Sequence, residues 1–208
     1  MKSVMMSIHP LFCTMIADGE KTLELRKTMP KCDIPFKVYI YCTKPYTGST
    51  DDRFYIYKPP HDTPWQVNGM VVGEFICDYI ELIEIRHFTV FGHENLYTSV
   101  GQFADLGWLK KTGLSYNEVS HYGNFAPLFG WHISNLVIYD KPKVLTDFIV
   151  PSKVGCCNEG KCMGCKYFDR GNGFNLEDDC AAPFSTDEYK PLRRPPRSWC
   201  YVDNLKGI

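Results

Sequence analysis

The chain has 208 residues, 44% of them hydrophobic, and its 23 basic and 24 acidic side chains leave a formal charge of -1. That is enough for one well-cored domain with an elaboration, and the near-neutral balance argues against a broad, sequence-blind DNA-binding surface, which normally shows as a basic domain. A local basic pocket remains open, because net charge says nothing about a local cluster. No apolar run is long enough to span a bilayer and the N-terminus lacks the apolar core of a signal peptide, so the expected setting is soluble, cytoplasmic and away from membranes.

The first element read from the N-terminus is a short helix after Ser7-Ile8-His9-Pro10. Pro10 suits a first helical turn, where its missing N–H loses nothing. Leu11, Met15 and Ile16 recur at helical spacing, and Gly19 is placed to close the helix in a left-handed conformation. From Thr22 the pattern changes to period two, with Leu23 and Leu25 on one face and Thr22, Glu24 and Arg26 on the other. Lys21 sits in the turn, so its amine and the Glu24 and Arg26 side chains are expected to share one concave spot.

Residues 36–43 form a β-branched and aromatic run, a buried strand by composition. Residues 44–69, rich in Pro, Gly, Asp and Thr, read as an excursion with a short strand at 54–57. One long strand is expected over 69–85, where Gly73 marks a bulge or a close backbone approach. Glu74 falls in register with Val72, Ile76 and Ile80, and a carboxylate on an apolar face needs a partner or a raised pKa. Residues 99–122 are expected to be helical, with Ser115 and Glu118 as a capping box for a second helix. Strand returns over 129–139, where His132 should point away from Trp131, and a short helix is expected at 144–148. After the cysteine-rich segment, residues 192–202 are stiffened by proline and then extended.

The spacing Gly19-x-Lys21-x-x-Glu24-x-Arg26, preceded by Ser7-Ile8-His9-Pro10, resembles the signature of the ASCH domain, a branch of the PUA-like superfamily. The resemblance covers roughly residues 1–150. It implies an α+β fold: a small mixed β-barrel with flanking short helices, to which residues 191–208 return as a C-terminal strand. It also implies a bacterial or phage-derived protein whose basic cleft holds RNA or a modified nucleotide. Lys21, Glu24 and Arg26 would form that cleft, with Ser7 and His9 beside them and Trp131, Tyr41 and Trp199 as aromatic walls. Arg makes forked bonds to phosphate while Lys acts as a movable point charge.

Some small bacterial members of the superfamily are amidohydrolases acting on N4-acetylcytidine, with a Lys, a Thr three positions later and a Glu on a later strand. Lys21 and Glu74 match the first and third parts, but Glu24 stands where the nucleophilic hydroxyl is expected. Thr22 would have to substitute, or a Lys–Glu pair would have to activate water. An N-acyl or RNA hydrolase is therefore the alternative function, and the sequence leaves open whether the chain is an enzyme.

Five of the ten cysteines fall between Cys156 and Cys180. In a reducing compartment such clustering reads as metal binding. Cys157, Cys162, Cys165 and Cys180, with Cys156 as a substitute for Cys157, suit one structural Zn²⁺ in a knuckle-like segment over 151–190. Disulfides, an iron–sulfur cluster and free thiols are the competing readings. Such a knuckle would offer a docking surface to a protein partner, a third class of function. Cys13, Cys32, Cys42 and Cys77 lie in or beside apolar runs and are expected to be small buried hydrophobes.

Overall fold

The computed structural model describes residues 3–44, 53–58, 61–88, 93–98, 106–124, 126–150 and 190–204. The first strand, β1 (Ser3–Ile8), leads through His9 into helix α1 (Pro10–Ala17), followed by β2 (Leu23–Arg26) and β3 (Phe36–Cys42). A hairpin, β4 (Tyr55–Lys58) and β5 (His61–Gln66), precedes β6 (Val71–Cys77), β7 (Ile80–Phe88) and β8 (His93–Thr98). Two helices, α2 (Leu106–Thr112) and α3 (Tyr116–Gly123), come before β9 (Leu128–His132) and β10 (Ser134–Lys143). A single 3₁₀ turn, Leu145–Asp147, leads to β11 (Phe148–Val150), and β12 (Lys190–Pro191) and β13 (Trp199–Asn204) complete the described chain.

The strands form a seven-stranded sheet in the order β10-β6-β3-β1-β13-β11-β12, a four-stranded sheet in the order β2-β9-β7-β8, and the β4-β5 hairpin. Among the described residues only β1 and β3 pair in parallel, joined by the crossover that contains α1 and β2. These two strands are central and buried on both faces, which explains their nearly continuous apolar runs. Two of the chain's passages between the sheets are tight corners. Asp78 and Tyr79 separate β6 from β7, and Ile133 separates β9 from β10. The two corners touch: the His132 amide donates to the Tyr79 carbonyl at 3.2 Å, and Ser134 lies opposite Ile76.

These corners correct the expectation of a small β-barrel. Among the described residues β2, β8, β10 and β12 each pair on one side only, so the ladders end at edges and the molecule is two sheets sharing a corner. The expected single strand over 69–85 is likewise two strands. Residues 129–139 also divide, at Ile133, with Asn135 held at φ 47° just beyond. The helical expectation for 99–122 holds over α2 and α3, while residues 99–105 lie outside the described residues.

Three apolar clusters hold the layers. The largest lies under α1, between the sheets, and contains Ile8, Cys13, Ile16, Phe36, Ile40, Phe75 and Trp131. A second, on the opposite face of the large sheet, packs Phe148 edge-on against Tyr39 at 4.8 Å, beside Met5 and Leu192. The third seats Leu23 and Leu25 of β2 against Trp108 of α2 and Val119 of α3.

Local signals explain the element ends. α1 begins with Pro10 and ends in a Schellman motif: the Gly19 N–H donates to the Ile16 carbonyl at 3.0 Å and the Glu20 N–H to the Met15 carbonyl at 2.9 Å, with Gly19 at φ 75°. Cys13, not Leu11, takes the inward position of this helix, and Leu11 is 54% exposed. α3 starts with the expected capping box, in which the Ser115 amide donates to Glu118 at 2.8 Å and the Glu118 amide donates back to the Ser115 hydroxyl.

Candidate functional site

Lys21 leaves the Schellman turn pointing inward. Its side chain is buried among Phe12, whose ring centroid lies 4.9 Å from Nζ, the C-terminus of α2 and the start of β2. Nζ donates to the Thr112 carbonyl and, at 3.0 Å, to the Leu23 carbonyl. The neighbouring Thr22 N–H donates to the Lys111 carbonyl at 2.9 Å. The last carbonyls of a helix have no partner within it and carry partial negative charge, so an ammonium group there is a cap. Gly113, at φ 67°, lets the chain turn close against Met15 and the Lys21 stem.

Glu24 lies 3.2 Å from Lys21 Nζ through Oε2 and 3.1 Å from Arg26 through Oε1. The Lys21 contact is an ion pair whose angles fall short of a hydrogen bond, so Glu24 Oε2 accepts none among the described residues. Arg26 donates to the Ser7 carbonyl at 2.6 Å, and its buried Nε has no acceptor among the described residues. The three signature side chains thus meet, but in the interior: Lys21 is 2% and Glu24 5% exposed. Charges buried this deeply are tolerated only because they are paired.

Ser7 connects this triad to the surface. Its hydroxyl donates to the Pro196 carbonyl at 2.7 Å and its amide to the Ser198 carbonyl at 2.9 Å. The strap from Arg193 to Ser198 therefore lies against the end of β1 before β13 pairs with β1. Outside the strap is an open groove of about 400 Å³. Lys44, Arg193 and Arg197 bring three cations to it, Ser7 and Thr43 bring hydroxyls, and no carboxylate is among its described lining residues. The Lys44 stem packs over Gly69, which sits at φ 83° and has no room for a side chain that would leave Lys44 where it is.

The aromatic walls expected for this cleft are elsewhere. Trp131 is fully buried, opposite Glu24 in the β2-β9 ladder, packed edge-on against Phe36 at 5.5 Å, with its indole N–H unpartnered among the described residues. Trp199 tilts against Trp131 at 5.8 Å and donates to the Thr28 hydroxyl at 3.0 Å. Tyr41 lines the groove but is only 3% exposed. His9 is exposed at the start of α1 with its ring 6.2 Å from Phe12, and it is not part of the groove lining.

Glu74 does not meet Lys21. A bulge at Val72 puts Val72 on the inner face and Glu74 on the outer face, opposite Tyr39. There Lys37 Nζ donates to it at 2.6 Å and the Tyr139 hydroxyl at 2.5 Å. Partial burial would raise its carboxyl, but these two donors and the Lys37 and Lys143 charges outweigh burial and hold it below its ordinary value. Burial, then the bond to Glu74, pushes the Tyr139 hydroxyl well up. The two-period reading of the sequence failed here because a bulge inverts the faces on one side of it. Lys21 and Glu74 therefore have separate partners on separate faces, and Thr22 supplies its backbone to both α2 and Ile133.

His132 points away from Trp131, as its register demands. Its Nδ1 lies 2.6 Å from Asp78 and its ring stacks on Tyr79 at 4.4 Å. The bond to His132 holds the Asp78 carboxyl below its usual range. Cys13, Cys42 and Cys77 are buried, and burial pushes the Cys77 thiol up to about 12, which leaves it inert. Cys156, Cys157, Cys162, Cys165 and Cys180 lie outside the described residues, so zinc there rests on spacing alone. Among the described residues no three His, Cys, Asp or Glu side chains are grouped to hold a metal.

Arg193, Arg197 and Lys44 were missed by sequence reasoning. The run Arg193-Arg194-Pro195-Pro196-Arg197 was a legible basic, proline-stiffened signal, but nothing local places it beside residues 7 and 44. No family model matches the chain and no curated protein sequence matches it significantly. Among solved structures it is similar to the crystal structure of ASCH from Zymomonas mobilis, at 16% identity and TM-score 0.44, over 69% of this chain and 74% of that one. A crystal structure of a point mutant of that protein is similar at 16% identity and TM-score 0.43, over 70% of this chain and 77% of that one.

Proposed function

We propose that the protein is a binding module for RNA or nucleotides and that the basic groove, not the buried Lys21–Glu24–Arg26 triad, touches the ligand. The observation that carries this is the meeting of Lys44, Arg193 and Arg197 at one open groove with no carboxylate among its described lining residues. Its volume of about 400 Å³ suits a nucleotide-sized group, since small-ligand sites run roughly 300–1,000 Å³. Guanidinium groups fork onto phosphate oxygens, and the Thr43 hydroxyl supplies a neutral donor beside them, the Ser7 hydroxyl being engaged with the Pro196 carbonyl. Among the described lining residues Tyr41 is the one aromatic ring and it is only 3% exposed, so the recognition is of backbone phosphate more than of base identity. Fluorescence anisotropy of a labelled single-stranded RNA tests this. The double variant Arg193→Ala, Arg197→Ala should bind at least about tenfold more weakly, the cost of two lost charge-assisted contacts. Equal affinity would refute the groove.

A further inference from the structure

The signature charges and the groove are 2 separate structures joined by one residue, Ser7, whose three polar atoms are all engaged. Its carbonyl accepts from Arg26 at 2.6 Å, its hydroxyl donates to the Pro196 carbonyl at 2.7 Å, and its amide donates to the Ser198 carbonyl at 2.9 Å. Arg26 is itself fixed by Glu24 at 3.1 Å, and Glu24 by Lys21, which is anchored on the end of α2. Leu192 before the strap donates to the Phe148 carbonyl at 2.8 Å and Trp199 after it pairs with Met6, but between them the strap has no strand pairing among the described residues, and Pro195 and Pro196 have no N–H to contribute. Its position against β1 therefore depends on Ser7, and Arg197 follows immediately after the residue that Ser7 holds.

We infer that Ser7 is a positioning residue: it latches the strap so that Arg197 stands in the groove, and the buried triad acts on ligand affinity only through this latch. The inference rests on the proposed groove function for its ligand readout. It predicts something that neither a direct contact nor a general loss of packing would give. Ser7→Ala removes no charge, yet it should lower the salt dependence of RNA binding as if a cation had been deleted.

The test measures the slope of log K against log salt for a labelled single-stranded RNA, with wild type, Ser7→Ala, Arg197→Ala and the double variant. Each phosphate contact to a single strand contributes about 0.7 to that slope. Ser7→Ala and Arg197→Ala should each reduce it by about that amount, and the double variant should lose no more than either alone. An unchanged slope in Ser7→Ala, or additive losses in the double variant, would overturn the latch. Hydrogen exchange without ligand gives an independent readout: the amide of residue 7, which donates to the Ser198 carbonyl, should exchange faster in Ser7→Ala, and unchanged exchange refutes the latch whatever the RNA does. Where Ser7→Ala folds poorly, Ser7→Cys keeps the shape with a weaker donor and should show the same direction. Faster exchange with an Arg197→Ala protein that binds RNA normally would instead refute the groove.

Discussion

Lys21 illustrates how far a charged residue's role depends on what lies across from it. From the sequence it was a ligand-facing cation of the cleft. Folded, it is 2% exposed, it caps α2 through the Thr112 carbonyl, and it faces Glu24 at 3.2 Å. Lys21→Met should therefore destabilise the protein by about 3–5 kcal/mol, the cost of breaking a buried pair and leaving its partners uncompensated. Urea unfolding measures this, and an unchanged midpoint would contradict the cap. Glu74 makes the opposite case, a carboxylate that works in stability, near the surface. Its folded pKa lies below the ordinary 4.5, so it stabilises the fold above that value and the contribution fades as the pH falls through its lowered folded value. Glu74→Gln should cost about 1 kcal/mol at neutral pH, a figure kept small because the side chain is 22% exposed. The difference from wild type should shrink toward pH 3, as acid-titrated thermal melts would show. A constant difference across that window would remove the carboxylate's charge from the explanation.

At the scale of elements, what was legible depended on local rules. The α1 start and stop, the Ser115–Glu118 box and the strand at 36–42 follow from chemistry within a few residues, and each stands where the sequence puts it. The breaks at Asp78–Tyr79 and Ile133 carry no such signal, because a strand that changes sheets keeps its apolar character. β5 fell in a stretch read as excursion and β8 in one assigned no element, since a strand that pairs mainly with one neighbour needs little hydrophobic alternation. Gly73 was legible, and its meaning is concrete. A Cβ there would come within 2.5 Å of the Val137 carbonyl, where β10 crosses β6 with shifts in register. Gly73→Ala should push β10 away and cost about 1–3 kcal/mol, as overpacking does. Amide exchange along 134–139 should rise in step, and protection equal to wild type would show that β10 absorbs the methyl group.

Across the whole molecule, the proposed ligand contacts and the buried charges that stabilise the fold divide along the chain. The sequence draws attention to residues 7–26, where the charges are dense and regularly spaced, and those charges became an internal brace. The groove draws its polar and charged lining from Ser7, from Tyr41, Thr43 and Lys44, and from Arg193 and Arg197, with Gly69 and Leu145 beside them. Those segments are joined by the parallel pairing of β1 with β3 and the antiparallel pairing of β1 with β13. No local pattern could have announced that meeting, since it depends on β13 returning beside β1 after a long stretch of chain. The direct check on this division is the salt dependence of RNA binding, from about 50 to 200 mM, for wild type and for Arg193→Ala, Arg197→Ala. A groove that holds phosphate predicts a slope lower by about 1.4 in the double variant, from two lost contacts at roughly 0.7 each. Parallel lines with equal affinity would place the ligand elsewhere and contradict the account.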